Sequence, residues 1–271
     1  MTHTVVEERC KPLECVDKLV VNLWAFFDDA GTGPDSNVVA CAGYLALDGR
    51  WDAFSSKWRH LLRSYHVPDS KFSMKRYAHF KPPFDGWDEL KRRSFMAQAL
   101  ALIKRYVEVG FVCVMRKSDY DGYLSEGVKN RAGGYFSLCA QMCVGLVEAY
   151  VAKRANRTVP DQPTEYIDYV FERGSVGAGH VHAAFEEWFG GMDRLWYREF
   201  RQETKDSSEL HAADVLAYET CKLLRDVLDG KTYVRHPFRT LIAGIPHMIF
   251  GPDGSDLAKM DKILRNQGWI A

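Results

Sequence analysis

The sequence lacks a net charge, a long apolar run and an apolar segment near its start, and each absence narrows the classes of protein it could be. Its 36 basic and 36 acidic residues cancel, which argues against a protein that binds nucleic acid strongly through its overall charge. No apolar run approaches the roughly 20 residues that a membrane span requires. The segment MTHTVVEERCKPLEC has no apolar core of the signal-peptide kind. We therefore expect a cytoplasmic protein without a membrane partner.

Cysteine is sparse, and its pattern does not favour a metal site. The seven cysteines are an odd number and fall mostly inside apolar runs, at positions 10, 15, 41, 113, 139, 143 and 221. This distribution is typical of reduced, buried thiols. Cys139 and Cys143 are four positions apart on a predicted helix, but no His or Cys pair completes a zinc site with them.

With 271 residues and 46% hydrophobic content, the chain is long enough for one generous domain or two small ones. Residues 1–16 are polar and without periodicity, which predicts a disordered tail. We expect residues 17–271 to form a single domain.

Basic residues are concentrated in one part of the chain. From Arg50 to Lys117 there are 15 basic and 6 acidic residues, so the remainder of the chain carries the matching acidic excess. This segment predicts a basic helical insertion at about 50–108. Its charge could belong to an ordinary solvated helix surface, or it could hold a polyanion such as nucleic acid near an acidic centre.

The stretch VVNLWAFFDDAGTG at 20–33 is the one around which we expect the chain to be organised. Val20–Phe27 predicts a strand buried on both faces, and it runs directly into Asp28 and Asp29 and a glycine-rich turn. Removing a carboxylate from water is costly unless it has a partner. Either an aspartate caps the turn through backbone amides, or other acids converge on it.

Two later acids occupy positions that suit such a convergence. Glu172 follows a predicted strand at 166–171, and Asp214 lies about two turns into a predicted helix at 209–228 among small apolar residues. Ligands gather beyond the carboxyl ends of parallel strands, so we expect Asp28 and Glu172 to lie together there. Asp29 would point away if the strand persists, but it could join the group if the chain bulges.

The remaining pattern predicts an α/β fold. We expect a second strand at 37–47 pairing antiparallel with the first, helices at 51–65, 87–107, 135–152 and 181–189, strands at 110–115 and 195–200, and a last helix at 256–267, with irregular structure at 71–80 and 119–134. When the helices at 51–65 and 87–107 are set aside, the order of elements is β-β-β-α-β-α-β-α.

This order, with its three acids, resembles the ribonuclease H-like fold, and four motifs resemble the family called domain of unknown function 3800. The motifs are FFDDAGTG at 26–33, FSMKRYAHF at 72–80, VFERG at 170–174 and LHAADVLAYE at 210–219, of which the last is the most specific. Ala30 stands where Ser is common, and His211 stands where Gln is common. The resemblance spans nearly the whole chain, from Val20 to Leu228.

The resemblance implies a mixed sheet flanked by helices, an insertion after the second strand and a carboxylate metal site. It supplies no substrate, because the family lacks a settled activity. Ribonuclease H-like enzymes often carry a fourth acid early in the first helix after the third strand. Here the predicted helix opens with Gly134, Tyr135 and Phe136, which leaves open whether one metal binds or two.

The predicted chemistry is hydrolysis of a phosphodiester by a metal-dependent nuclease or phosphodiesterase. Asp28, Glu172 and Asp214 would be the catalytic and metal-binding acids, since Mg²⁺ and Mn²⁺ prefer carboxylate oxygens. Two such ions about 4 Å apart can activate a water and stabilise the leaving oxygen. The alternatives are a catalytically silent module of the same fold that binds nucleic acid or protein, and a hydrolase of a small nucleotide-like substrate.

Five further residues are candidates for substrate binding. They are Lys205 and His211, which precede Asp214, and Lys75, Arg76 and His79 in the insertion. For each of them an ordinary structural or surface role is the alternative. The sequence determines neither the substrate nor the oligomeric state.

Overall fold

The computed structural model describes residues 21–154, 165–174, 178–189 and 197–266. The predicted tail at 1–16 lies outside the described residues. The five described cysteines are buried thiols.

Strands and helices alternate along the described chain. The strands are β1 (Val21–Ala30), β2 (Val38–Leu47), β3 (Val109–Arg116), β4 (Glu165–Glu172), β5 (Tyr197–Glu203) and β6 (His247–Phe250). The helices are α1 (Asp48–Ser64), α2 (Met74–Ala78), α3 (Glu89–Tyr106), α4 (Lys117–Tyr123), α5 (Glu126–Ala132), α6 (Tyr135–Arg154), α7 (Ala178–Phe189), α8 (Ser208–Leu228), α9 (His236–Gly244) and α10 (Gly254–Asn266).

The six described strands form one mixed sheet in the order β5-β4-β1-β2-β3-β6. β2 pairs antiparallel with β1 and with β3, whereas the β1–β4, β4–β5 and β3–β6 pairs are parallel. The predicted hairpin between the first two strands is confirmed, with Asp28 opposite Ala42 and Asp29 opposite Cys41. Because β1, β4 and β5 run in the same direction, their carboxyl ends meet at one edge of the sheet.

Helices cover both faces of the sheet. On one face, α8 and the segment between β2 and β3 share a core rich in large aromatic rings, including Trp58, Phe72 and Phe95. On the other face, α6, α7 and α10 pack on alternate strand residues such as Phe27 and Phe111. The basic segment therefore contributes to the main core as well as to the surface.

By length and composition α6 could cross a membrane, with a mean hydropathy of 1.4 over its most apolar window. A core helix satisfies the same criteria, and 56% of that window is buried inside the fold. The apolar composition of this helix is explained by its packing against β2 and β3.

Two regions differ from the expected pattern. The stretch at 119–134 forms α4 and α5, because Tyr120, Leu124, Val128 and Ala132 make a buried stripe at four-residue spacing within a polar sequence. The stretch at 71–80 contains α2, whose first turn is capped by the Ser73 hydroxyl accepting the Arg76 amide at 3.2 Å. Beyond Gly230, α9 and the edge strand β6 were also unexpected.

Candidate metal centre

Strand alternation brings two of the predicted acids to the same face. Phe26 on β1 and Val170 on β4 belong to the core that lies against α8. Side chains two positions apart on a strand share a face, so Asp28 and Glu172 lie on that face too. Since β1 and β4 are parallel neighbours, both acids reach the same edge.

Three carboxylates meet there. Asp28, Asp29 and Glu172 each offer an oxygen within 4.8 Å of the others. β1 continues through Asp29, so alternation alone would turn this residue away from Asp28. At the strand end, however, the Asp29 amide donates to Asp28 Oδ1 at 2.8 Å, and the Thr32 hydroxyl donates to Asp29 Oδ2 at 2.7 Å. The turn thus draws Asp29 into the group.

Asp214 lies beside this group on α8, and it is not a member of the three-carboxylate set found in the described residues. Its side chain is 8% exposed, and its Oδ2 accepts the Met74 amide at 2.7 Å. The FSMKRYAHF motif at 72–80 therefore positions Asp214, in the LHAADVLAYE motif, through a backbone hydrogen bond.

The acids carry poorly compensated negative charge. Burial, followed by the charge of Asp214 and a hydrogen bond with Glu172, raises the pKa of Asp28 well above its ordinary value. Burial also raises the pKa of Asp214 to about 6, although the nearby Lys205 and the Met74 amide act in the opposite direction. Such shifts are expected of crowded carboxylates without a cation between them.

Lys205 is the internal counter-ion of the site. Its Nζ lies 3.0 Å from Glu172 Oε2. Burial alone would lower the pKa of Lys205, but Asp28, Asp214 and Glu172 raise it above its usual value. The lysine therefore remains charged and supplies one positive charge to the acid group.

The His211 ring is engaged by two partners within the fold, and its contact with substrate stays a prediction. Trp58 Nε1 donates to His211 Nδ1 at 2.9 Å, and His211 Nε2 lies 2.6 Å from the Lys205 carbonyl oxygen. These partners assign the neutral tautomer with the proton on Nε2. Burial lowers the pKa of His211 to about 4, in keeping with a neutral ring. His211 thus positions the backbone of Lys205.

A cavity of about 410 Å³ opens beside the acids. We call it the acid cavity. Asp29, Asp214 and Lys205 line it, together with the turn after β1, and from the insertion Lys75 and His79. Lys75 and His79 are exposed at its rim.

Arg76, the third insertion candidate, is not among the residues that line the acid cavity. Its Nη1 donates to the Pro82 carbonyl at 3.0 Å, so its guanidinium stabilises the turn after α2. The contact of Arg76 with substrate stays a prediction.

Two further lining residues, Tyr218 and Arg225, were not among the sequence candidates. They follow Asp214 on α8 by 4 and 11 residues. At 3.6 residues per turn these spacings place all three on one helix face, so the signal was available once Asp214 had been singled out.

The arginines that might have neutralised the acids have other partners. Arg173 Nη2 donates to the Gln202 carbonyl at 3.1 Å. Arg198 binds Asp168 through both Nε and Nη2. Among the described residues, Glu172 forms its ion pair with Lys205 and not with either of these arginines.

Comparison with known proteins leaves the family open. The sequence matches no family model and is similar to no curated protein. A chain of the solved structure described as "Structure of the PCNA:RNase HII complex from Archaeoglobus fulgidus" superposes with a TM-score of 0.36 and 12% identity, covering 82% of this chain and 87% of that chain. A likeness this weak carries no argument about activity, so the resemblance to domain of unknown function 3800 stays a prediction.

Proposed function

We propose that this protein is a divalent-metal-dependent phosphodiesterase of the nuclease class, with a ribonuclease H-like architecture. The observation that carries the proposal is the set of three carboxylates, from Asp28, Asp29 and Glu172, whose oxygens lie within 4.8 Å of one another. Crowded carboxylates are costly in a folded protein unless a cation offsets their repulsion.

The donor set fits Mg²⁺ or Mn²⁺. Every candidate ligand is a carboxylate oxygen, which hard cations prefer, and the group contains no thiolate or imidazole that would favour a softer metal. Asp28, Asp29 and Glu172 would hold the ion. When bound, such an ion polarises a phosphoryl oxygen and lowers the pKa of a coordinated water.

Asp214 suits the role of proton acceptor. Its Oδ2 is engaged by the Met74 amide, and the residue lines the acid cavity, so Oδ1 can face a water there. Burial raises its pKa in the metal-free protein, and a positioned carboxylate can accept a proton from a reacting water.

The cationic side chains around the acid cavity suit a phosphate substrate. Lys205, Lys75 and Arg225 line the cavity together with His79. Cations placed around a phosphoryl group stabilise the charge that develops on its oxygens. Acids and cations thus line the same cavity.

The family interpretation draws support from the same arrangement. Each of the four motifs contributes to one place: Asp28 and Asp29 from the first, the Met74 amide and Lys75 from the second, Glu172 from the third, and Asp214 from the fourth. Segments far apart in sequence thus converge on one site.

The test is a cleavage screen with Mn²⁺ on labelled single- and double-stranded DNA and RNA. We expect cleavage by the wild type, its loss in chelator, and its loss in Asp28→Asn. The matched control is Asp52→Asn, which neutralises an exposed aspartate on α1. Equal cleavage by Asp28→Asn and the control, or no Mn²⁺ binding in a calorimetric titration, would overturn the proposal.

Hydrolysis of a small nucleotide-like substrate is the second candidate, because a volume of about 410 Å³ falls in the range of small-molecule sites. The same screen with mononucleotides and dinucleotides separates the two. Faster turnover of a dinucleotide than of a long strand would favour the small substrate.

A further inference from the structure

A second cavity, of about 600 Å³, lies between α3 and the start of α9. We call it the arginine cavity. Arg92 and Arg93 of α3 line it on one side, and Arg235 and His236 line it on the other. Among its described lining residues Glu89 is the acid. No step of the proposed phosphodiester hydrolysis uses this cavity.

Arg92 is held rigidly but has no carboxylate partner in the described part of the chain. Its Cζ lies 3.7 Å from the Phe80 ring centroid and 4.7 Å from that of Tyr77. Nη2 donates to the Tyr77 carbonyl at 3.0 Å, whereas Nε is buried and lacks a hydrogen-bond partner among the described residues. The buried Nε is out of a ligand's reach, so the donors left for an oxyanion are those of Nη1 and the second hydrogen of Nη2. A guanidinium fixed by stacking in this way is preorganised for a planar contact with an oxyanion.

The start of α9 adds positive potential to the same cavity. Its N-cap residue, Arg235, makes no side-chain capping hydrogen bond, and the first turn contains no acid. Helix N-termini carry partial positive charge and favour anions. Arginine and histidine at this position are unfavourable unless negative charge lies nearby.

The acids in reach offset only part of this charge. Arg235 Nη2 lies 3.0 Å from Glu219, which is 0% exposed. Arg93 pairs with Glu89 at 2.8 Å, but both side chains are largely exposed, and such pairs are weak. Arg92 and the helix terminus remain uncompensated by the described residues.

We propose that the arginine cavity binds a phosphate group, with Arg92 as its principal ligand. Guanidinium groups match phosphate oxygens through paired donors, and Arg93 and Arg235 add positive charge around them. Tyr77 and Met96, on the same walls, offer apolar surface for the sugar or base attached to the phosphate.

The two cavities are neighbours through Tyr218 and Arg235. Tyr218 lines the acid cavity, and its ring lies 5.9 Å from the guanidinium of Arg235, which lines the arginine cavity. The phosphate could therefore belong to a nucleic-acid strand that also passes the acids, or to a free nucleotide.

Binding measured in chelator tests the proposal without any dependence on metal or catalysis. The probes are a labelled single-stranded oligonucleotide followed by fluorescence anisotropy, and inorganic phosphate and AMP followed by calorimetry. The variants are Arg92→Gln, Arg92→Lys and Arg93→Gln. Arg63→Gln, which neutralises an exposed arginine on α1 outside both linings, is the matched control.

We expect Arg92→Gln to weaken the binding of at least one probe about tenfold, since it removes hydrogen bonds between charged groups. Arg92→Lys should bind with intermediate affinity, because lysine keeps the positive charge but lacks the paired guanidinium donors. The control should bind as the wild type does. If the oligonucleotide is the probe affected, the slope of log affinity against log salt should fall by about one. An effect confined to phosphate and AMP would identify a free nucleotide as the source.

The proposal is overturned if no probe binds, or if the Arg92 and Arg93 variants bind every probe as tightly as the control does. Thermal melts establish that each variant is folded. Should Arg92→Gln fail to fold, Arg93→Gln decides, because its side chain is exposed and its loss leaves the core intact.

Discussion

α8 carries two buried aspartates whose surroundings are opposite. Asp214, near its start, faces other acids, and burial raises its pKa to about 6. Asp226, near its end, is 1% exposed and binds Lys222 at 2.6 Å and Lys231 at 2.7 Å. Burial alone would raise the pKa of Asp226, but the two lysines lower it below its usual value.

The difference separates a structural acid from a candidate functional one. Two lysines offset the charge of Asp226 through its Oδ1 and anchor α8 to the chain that follows, although Oδ2 is buried without a hydrogen-bond partner among the described residues. Asp214 shares Lys205 with Asp28 and Glu172, which leaves three acids for one lysine. Buried negative charge without matching positive charge is the feature that a metal site requires and that an ordinary structural carboxylate avoids.

The largest effect that separates the two ends of α8 should be on catalysis. We expect Asp214→Asn to reduce Mn²⁺-dependent cleavage by about a thousandfold if its carboxylate takes the proton of the attacking water. Asp226→Asn should leave the rate per folded molecule unchanged. Initial rates on the best substrate of the screen measure both, and comparable losses in the two variants would end the distinction.

The next largest effect should be on how the free energy of unfolding depends on pH. The raised pKa of Asp214 means that the folded protein disfavours its ionised form. Its contribution to the free energy of unfolding is fully present below the ordinary pKa and is lost as pH rises through about 6. The loss should amount to about 3 kcal/mol by pH 8.

Denaturant unfolding in chelator at pH 5 and pH 8 should show about 1.4 kcal/mol of this loss as the difference between the wild type and Asp214→Asn, because the rest of the loss falls below pH 5. Asp226 has the opposite sign, because stability from a lowered pKa is present above the ordinary value and is lost as pH falls. A pH profile of Asp214→Asn that matches the wild type would contradict the assignment.

The placement of Asp28 and Glu172 could be predicted from the sequence because it needs only two local facts and one topological fact. Each acid ends a recognisable strand, side chains alternate along strands, and parallel strands end at one edge. The buried stripe from Tyr120 to Ala132 and the position of Arg225 were equally readable from spacing, although neither was predicted.

Other features could not be predicted from the sequence, since they depend on contacts between distant residues. Trp58 lies 153 positions before His211, and no local pattern reports that its indole fixes the imidazole that holds Lys205. Asp29 joins the acids through the exact course of the turn and the Thr32 hydroxyl. β6 is a four-residue edge strand with half-exposed side chains, too short for any periodicity.

A smaller effect should appear in the stability of the two asparagine variants at pH 8 in chelator. Asp226→Asn should lower the free energy of unfolding by about 2 kcal/mol, because it breaks a buried ion-pair group whose lysines remain partly hydrated. Asp214→Asn should be neutral or stabilising, because it relieves repulsion and Asn can still accept the Met74 amide. Marked destabilisation of Asp214→Asn would make Asp214 a structural residue like Asp226.

The smallest effect concerns the one lysine that the acids share. If Lys205 occupies the place of a cation in the metal-free protein, its removal should destabilise that state and ease metal binding. Its side chain is 45% exposed, so its competition with the metal is worth about 1 kcal/mol or less. We therefore expect Lys205→Met to melt at a lower temperature in chelator, and to bind Mn²⁺ up to about fivefold more tightly at pH 8.

Lys75→Met is the matched control for this measurement, since Lys75 also lines the acid cavity. Its side chain is exposed, and it forms no ion pair with a carboxylate among the described residues. Its Mn²⁺ affinity should equal that of the wild type. Calorimetric titration with Mn²⁺ gives the affinities, and melts with and without the metal give the stabilities. If Lys205→Met binds Mn²⁺ more weakly than the control does, Lys205 organises the acids for the metal and does not compete with it. The position of Asp214 among the other acids, and not its uncompensated charge, would then distinguish it from Asp226.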